Sequence, residues 1–132
     1  MHVLLDTNIL LWAIAMPGKL DEPTRGILQS RANEILFSAV SIWEIAIKYG
    51  TGRIDFAMDP NAVLAEAVDA GFRELPVRAA VAATVAALPL HHKDPFDRLL
   101  LAQAFGEPAC FMTSDSLLAK YSSLVTVVRR VS

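Results

Sequence analysis

Four acidic residues stand where apolar segments meet polar ones, and their types suit one kind of chemistry. Asp6 ends the run Val3-Leu4-Leu5, Glu44 lies among Ile42, Trp43 and Ile45, Asp97 follows Asp94-Pro95-Phe96, and Asp115 comes just past Phe111-Met112-Thr113. A carboxylate at the rim of an apolar segment loses part of its hydration and is tolerated only where a cation or hydrogen-bond donors meet it. Four such groups brought together raise one another's pKa, a conflict that a divalent ion resolves. Oxygen ligands without supporting Cys or clustered His favour Mg2+ or Mn2+ over zinc. The adjacent His91 and His92 are expected to point apart in a loop and are set aside as zinc ligands. The reaction implied is metal-assisted hydrolysis of a phosphate ester, in which the ion lowers the pKa of water and steadies the leaving oxygen.

Bulk charge neither supports nor excludes this chemistry. The chain has 132 residues and a formal net charge of −2, with a pI of about 5.9, so it is no uniformly basic nucleic-acid binder. An acidic site still takes a polyanion when divalent cations lie between them and basic residues stand at the rim. Lys48, Arg53, Lys93 and Arg98 are the basic residues near the acids in sequence. Asn8, Asp94 and Thr113 are expected to support the acids, by hydrogen-bonding them or by capping the helices that carry them.

The elements that must position these groups alternate in type. Val3 to Leu5, with no polar alternation, reads as a strand covered on both faces. Thr7 to Ala15 follows as a short apolar helix ended by Pro17-Gly18, and Asp21-Glu22-Pro23 opens a second helix with Ile27 and Leu28 facing inward. Glu34 to Phe37 is a second strand. The helix from Ala39 to Tyr49 places Val40, Trp43 and Ile47 on one apolar face. Either Ser41 and Glu44 form a capping box, or Ser38 caps this helix and Glu44 faces inward. Gly50 to Arg53 is a turn leading through Ile54-Asp55-Phe56 to Asp59-Pro60, which starts a helix that Gly71 ends. Phe72 to Val77 is a strand, and the alanine-rich segment from Arg78 to Leu88 a helix with a flat, closely packing face. Asp94 as N-cap and Pro95 at the first turn open a further helix, leaving Asp97 free beside Arg98. Ala109 to Thr113 is a buried strand with Cys110 in the core, Ser116 to Tyr121 a helix, and Val125 to Val128 the last strand. Strands alternating with helices give an α/β fold with a mostly parallel sheet, right-handed crossovers and one domain over residues 1–132. One rim of that sheet would hold Asp6, Glu44, Asp97 and Asp115.

The composition carries two further expectations. Hydrophobic residues make up 54% of the chain and the mean hydropathy is +0.40, yet no stretch spans a bilayer, so the apolar surplus is expected to serve a protein interface. A single cysteine and the lack of a signal-like N-terminus point to a cytoplasmic protein.

The segments Leu4-Leu5-Asp6-Thr7-Asn8-Ile9-Leu10, Ser38 to Lys48 with its Ser-Ile-Trp-Glu core, Asp94-Pro95-Phe96-Asp97-Arg98-Leu99-Leu100 and Thr113-Ser114-Asp115 together resemble the PIN domain, specifically VapC-type toxins. That resemblance implies a three-layer α/β/α sandwich and a Mg2+- or Mn2+-dependent endoribonuclease whose metal ligands and catalytic acids are Asp6, Glu44, Asp97 and Asp115. It also implies an antitoxin encoded alongside as inhibitor, and a homodimer; the four basic residues are candidate contacts to the RNA. Ser114 stands where such toxins often carry a basic residue. A haloacid-type phosphatase would need a second Asp at the position of Asn8, and a phospho-accepting receiver domain a late Lys at a strand end where none lies. The alternatives that remain are a housekeeping RNA-processing nuclease and a non-catalytic binding module whose acids merely cap helices.

Overall fold

A computed structural model describes residues 1–51 and 58–131 of the chain. Five strands form one sheet, β1 (His2–Leu5), β2 (Glu34–Ser38), β3 (Arg73–Leu75), β4 (Cys110–Thr113) and β5 (Val125–Val127). Their order is β3-β2-β1-β4-β5 and every pairing is parallel. The chain starts at the centre, winds outward through β2 and β3, then crosses to β4 and β5 on the other side. β1 and β4 therefore flank the switch point, where the loops leaving their carboxyl ends diverge and open a crevice.

The three central strands, β1, β2 and β4, are covered on both faces. Val3 and Leu5 face one layer with Ile35, Phe37 and Met112, while Leu4 faces the other with Leu36 and Phe111. All eight are 5% exposed or less, which explains the unbroken apolar runs. The first layer comprises α1 (Thr7–Ala15), through Ile9 and Leu10, and α4 (Pro60–Asp69), through Val63 and Ala67, with α2 (Glu22–Gln29) beside them. The second is led by α6 (Pro95–Gly106), through Leu100, Leu101 and Ala104. The result is the expected α/β/α sandwich. α3 (Ala39–Gly50) contributes to both layers, with Val40 in one and Ile45 in the other.

Helix boundaries follow the capping residues. Asp6, Asp21, Asp59 and Asp94 each accept a backbone N–H at the start of α1, α2, α4 and α6. Gly71, at φ +85°, turns the chain from α4 into β3.

Other elements depart from the sequence pattern. Ser38, and not Ser41, caps α3; Ser41 lies inside the helix, so no capping box forms. Its buried side is Val40, Ser41, Glu44 and Ile45, whereas Trp43 is 58% and Ile47 40% exposed. The apolar stripe of α3 is thus split between core and solvent. The alanine-rich segment forms only α5 (Ala79–Thr84) and a 3₁₀ turn, Val85–Ala87, with no buried residue. Val81, Val85 and Leu88 are half-buried, and the alanines between them remain exposed. Ser116–Lys120 is likewise a 3₁₀ turn. Cys110 is half-buried, packing against the margin of the core with Sγ 3.3 Å from Thr126 Oγ1. Among the described residues no helix is long and apolar enough to cross a membrane.

Candidate functional site

The loops leaving β1 and β4 enclose, with α3 and α6, a cavity of about 150 Å3 lined by Asp6, Thr7, Asn8, Glu44, Lys48, Asp94, Asp97, Ser114 and Asp115. All four acids singled out by the sequence meet there. Volume does not pick out this place. A cavity of about 580 Å3 opens at the opposite edge of the sheet, between Met1, Ser30, Glu34 and Gly71. Its one carboxylate, Glu34, is already paired with Arg73.

Each acid reaches the cavity from a different element. Asp6 follows β1; its backbone N–H extends the ladder by donating to Met112 O at 2.9 Å. Its carboxylate, 5% exposed, accepts Ile9 N–H at 2.8 Å and Ser114 N–H at 3.4 Å. Asn8 lies exposed beside it, so backbone donors fill the role that the amide's position had suggested. Glu44, 7% exposed, projects inward from the middle of α3. It accepts Thr7 Oγ1–H at 2.7 Å and pairs with Lys48 Nζ at 2.6 Å. Thr7 Oγ1 also lies 3.0 Å from Ser41 Oγ. The buried hydroxyl of Thr7 was not singled out by the sequence, where it passes for an ordinary helix residue, and Ser41 was considered only as a cap. Asp94 Oδ1 accepts the N–H groups of Phe96 and Asp97, and Thr113 Oγ1 accepts Asp115 N–H at 3.0 Å.

Asp97 is the exception among the acids. It lies in the first turn of α6, caps nothing, and accepts no hydrogen bond among the described residues; His92 Nε2 stands 3.6 Å away. Burial pushes its pKa up to about 7, reinforced by the charges of Asp94 and Asp6 and opposed by His92. Burial also pushes Asp6 up to about 6, against donors that include the Thr113 hydroxyl, and Glu44 adds repulsion. Without a cation this constellation therefore holds protons near neutrality.

The donor set fits a hard divalent ion. Asp6, Glu44, Asp97 and Asp115 all line one small polar space, with no thiol among the lining residues; Asp97 and Asp115 bring oxygens within 4.8 Å of each other and of a His92 nitrogen. His92, set aside with His91 on sequence grounds, does enter the cluster, while the ring of His91 turns away to pack edge-on against Tyr121. The clue in the sequence was its place two residues before the N-cap Asp94.

The basic residues separate into different roles. Lys48 lines the cavity, and Lys93 is exposed. Arg98 is no candidate for a substrate contact: its guanidinium donates to the carbonyls of Val85, Leu88, Pro89 and His92 and to Tyr121 Oη. Adjacent helical residues diverge by about 100°, so Arg98 points away from the space that Asp97 faces. Arg53 lies outside the described residues.

Comparison with known proteins agrees with this geometry. The sequence pattern of the PIN domain matches residues 3–124. Among curated proteins none matches the sequence. In structure, the chain is similar to one in VapBC2 from Rickettsia felis, crystallised with a DNA fragment from their promoter. The TM-score is 0.68 at 17% identity, over 97% of this chain and 99% of that one. A chain of FitAcB from Neisseria gonorrhoeae is similar at a TM-score of 0.52 and 21% identity, over 86% and 88%.

Proposed function

We propose, given that the chain belongs to the PIN domain family, that it is the toxin of a toxin–antitoxin pair and acts as a Mg2+- or Mn2+-dependent endoribonuclease. The observation that carries the catalytic part is Asp97, a half-buried carboxylate with a pKa of about 7 and no hydrogen-bond donor of its own among the described residues. A module whose acids only cap helices accounts for Asp6, Asp94 and Asp115, which do cap. It accounts for neither Asp97 nor the inward Glu44.

Asp6, Glu44, Asp97 and Asp115 are the residues that would hold the ion. When bound, it supplies charge neutralisation at the phosphate and a lowered pKa for the attacking water. The protein's own contribution is positional. Thr7, the Ile9 and Ser114 amides and the cap at Asp115 aim the acids into one space, and Lys48 offers an ammonium beside it for a phosphate oxygen. The assay is cleavage of single-stranded RNA with EDTA, with Mg2+ and with Mn2+. Activity lost in chelator and restored by either ion is expected, and undiminished cleavage in chelator refutes the metal site.

The antitoxin part rests on the resemblance to VapC-type toxins and the likeness to a VapBC2 chain, and the homodimer part on the resemblance alone. The exposed apolar residues Met16, Trp43, Ile47 and Tyr49 support an interface on α1 and α3. A partner segment there would bring a basic side chain to the acids, inhibiting by charge as well as by bulk. Mass measurement of the isolated chain is expected to give a dimer, and a strict monomer would refute that part.

A further inference from the structure

His92 Nε2 lies 2.6 Å from Asp115 Oδ2 and 3.6 Å from Asp97 Oδ2, and one atom from each of the three residues falls within 4.8 Å of the others. By distance alone this is a histidine–carboxylate ligand triad. The other ring nitrogen decides against it. The backbone N–H of Asp94 donates to His92 Nδ1 at 3.0 Å, so Nδ1 presents a lone pair. In a neutral imidazole the proton then sits on Nε2, an assignment made by the hydrogen-bond network. A protonated Nε2 has no lone pair for an ion, and a ligating histidine shows the reverse pattern, donating from its far nitrogen.

We propose that His92 is a positioning residue of the acidic site, a hydrogen-bond donor that sets the Asp115 carboxylate toward Asp97, and not a ligand. This rests on reading the four acids as cation ligands. Asp115 stands past the end of β4, about a third exposed, and has more need of restraint than the buried acids. Leu117 N–H holds its Oδ1 at 3.0 Å while His92 holds Oδ2. One donor on each oxygen fixes the carboxylate plane and leaves a lone pair on each for an ion.

The ring is braced from behind. His92 N–H donates to Tyr121 Oη at 2.9 Å, and Arg98 Nη1 reaches both His92 O and Tyr121 Oη at 3.3 Å. Arg98 also ties down the carbonyls of Val85, Leu88 and Pro89. The Arg98 guanidinium thus acts on the site at one remove, through the loop that carries His92.

Nitrogen NMR of the 15N-histidine-labelled full chain, metal-free and then saturated with Mg2+, reads the role directly. The expected result is an unprotonated Nδ1 and a protonated Nε2 in both states; transfer of the proton to Nδ1 on adding Mg2+ would make His92 a ligand and overturn the proposal. Calorimetry supplies the second arm. His92→Ala is expected to weaken Mg2+ binding about 10- to 100-fold, as removal of an outer partner of a ligand does. His92→Gln, whose amide nitrogen reaches where Nε2 stood, recovers most of that loss. His92→Asn, too short to reach Asp115, does not. A Gln variant as weak as Ala overturns the donor role, and if His92→Ala does not fold, the NMR arm and the Gln–Asn pair still decide. No Mg2+ binding by the wild type would defeat the cation reading and the role with it, whereas binding with a ligating ring defeats only the role.

Discussion

The two edges of the sheet each gather ionisable side chains, and they treat them in opposite ways. At the amino edge, His2 from β1 lies 3.0 Å from Glu107 and 3.5 Å from Glu34, and Arg73 from β3 pairs with both glutamates. Basic and acidic groups alternate, all are partly open to solvent, and the cluster answers its own charge. At the carboxyl edge, Asp6, Glu44, Asp97 and Asp115 share one small cavity in which Lys48 is the basic lining residue, and two of the acids are pushed up to about 6 and about 7. An ion-pair cluster of the first kind is worth little beyond local order. The second kind is costly without a cation, and that cost is the basis of the proposed site.

Substitution at the carboxyl edge gives the largest expected contrast. Asp97→Asn keeps the shape and removes a charge. It should lower RNA cleavage about a thousandfold, corresponding to the several kcal/mol of charge stabilisation a divalent ion supplies, while the melting temperature in EDTA holds or rises. Steady-state cleavage and thermal melts check both halves; a stable variant with full activity would place the chemistry elsewhere.

The pH dependence of stability should also differ between the edges. Asp6 and Asp97 have folded pKa values above the 3.8 of an unperturbed Asp. The folded chain therefore keeps protons that the unfolded chain releases from about pH 4 upward. Their favourable contribution is fully present below pH 4 and is lost as pH rises through 6 and 7. Urea melts in EDTA should show stability falling over that window by an amount on the order of a few kcal/mol, flattened in Asp97→Asn and offset by Mg2+. A flat profile for the wild type in EDTA would contradict the burial of uncompensated acids.

Smaller effects sharpen the division of labour. Asp94→Ala should cost about 1 kcal/mol through the lost cap of α6, with a smaller activity loss than Asp97→Asn, as a parallel melt and cleavage assay would show. Glu34→Gln, at the amino edge, should cost less than about 1 kcal/mol and leave cleavage unchanged. An activity loss there comparable to that of Asp97→Asn would erase the distinction between the edges.

Much of this was legible in the sequence, for identifiable reasons. Asp21, Asp59 and Asp94 marked helix starts because capping is a local interaction, and the unbroken apolar runs of β1, β2 and β4 marked a doubly covered sheet. What escaped depended on tertiary position. The stripe of α3 could not reveal that the helix straddles the sheet's end, turning Glu44 inward and Trp43 outward. The alanines of α5 bury too little area to hold a long helix against α6. Arg98 lies next to Asp97 in sequence but points to another side of the helix, and His92 enters the site because Arg98 and Tyr121 fold its loop back over α6.

The central claim is that the carboxyl edge is built to take a divalent cation, and calorimetric titration of the metal-free chain with Mn2+ at pH 7, repeated in buffers of different ionisation enthalpy, tests it most directly. The account predicts saturable binding with release of protons, since Asp6 and Asp97 hold them near neutrality in the absence of the ion, and loss of both signals in Asp97→Asn. Absence of binding, or binding unaltered by that substitution, would contradict it.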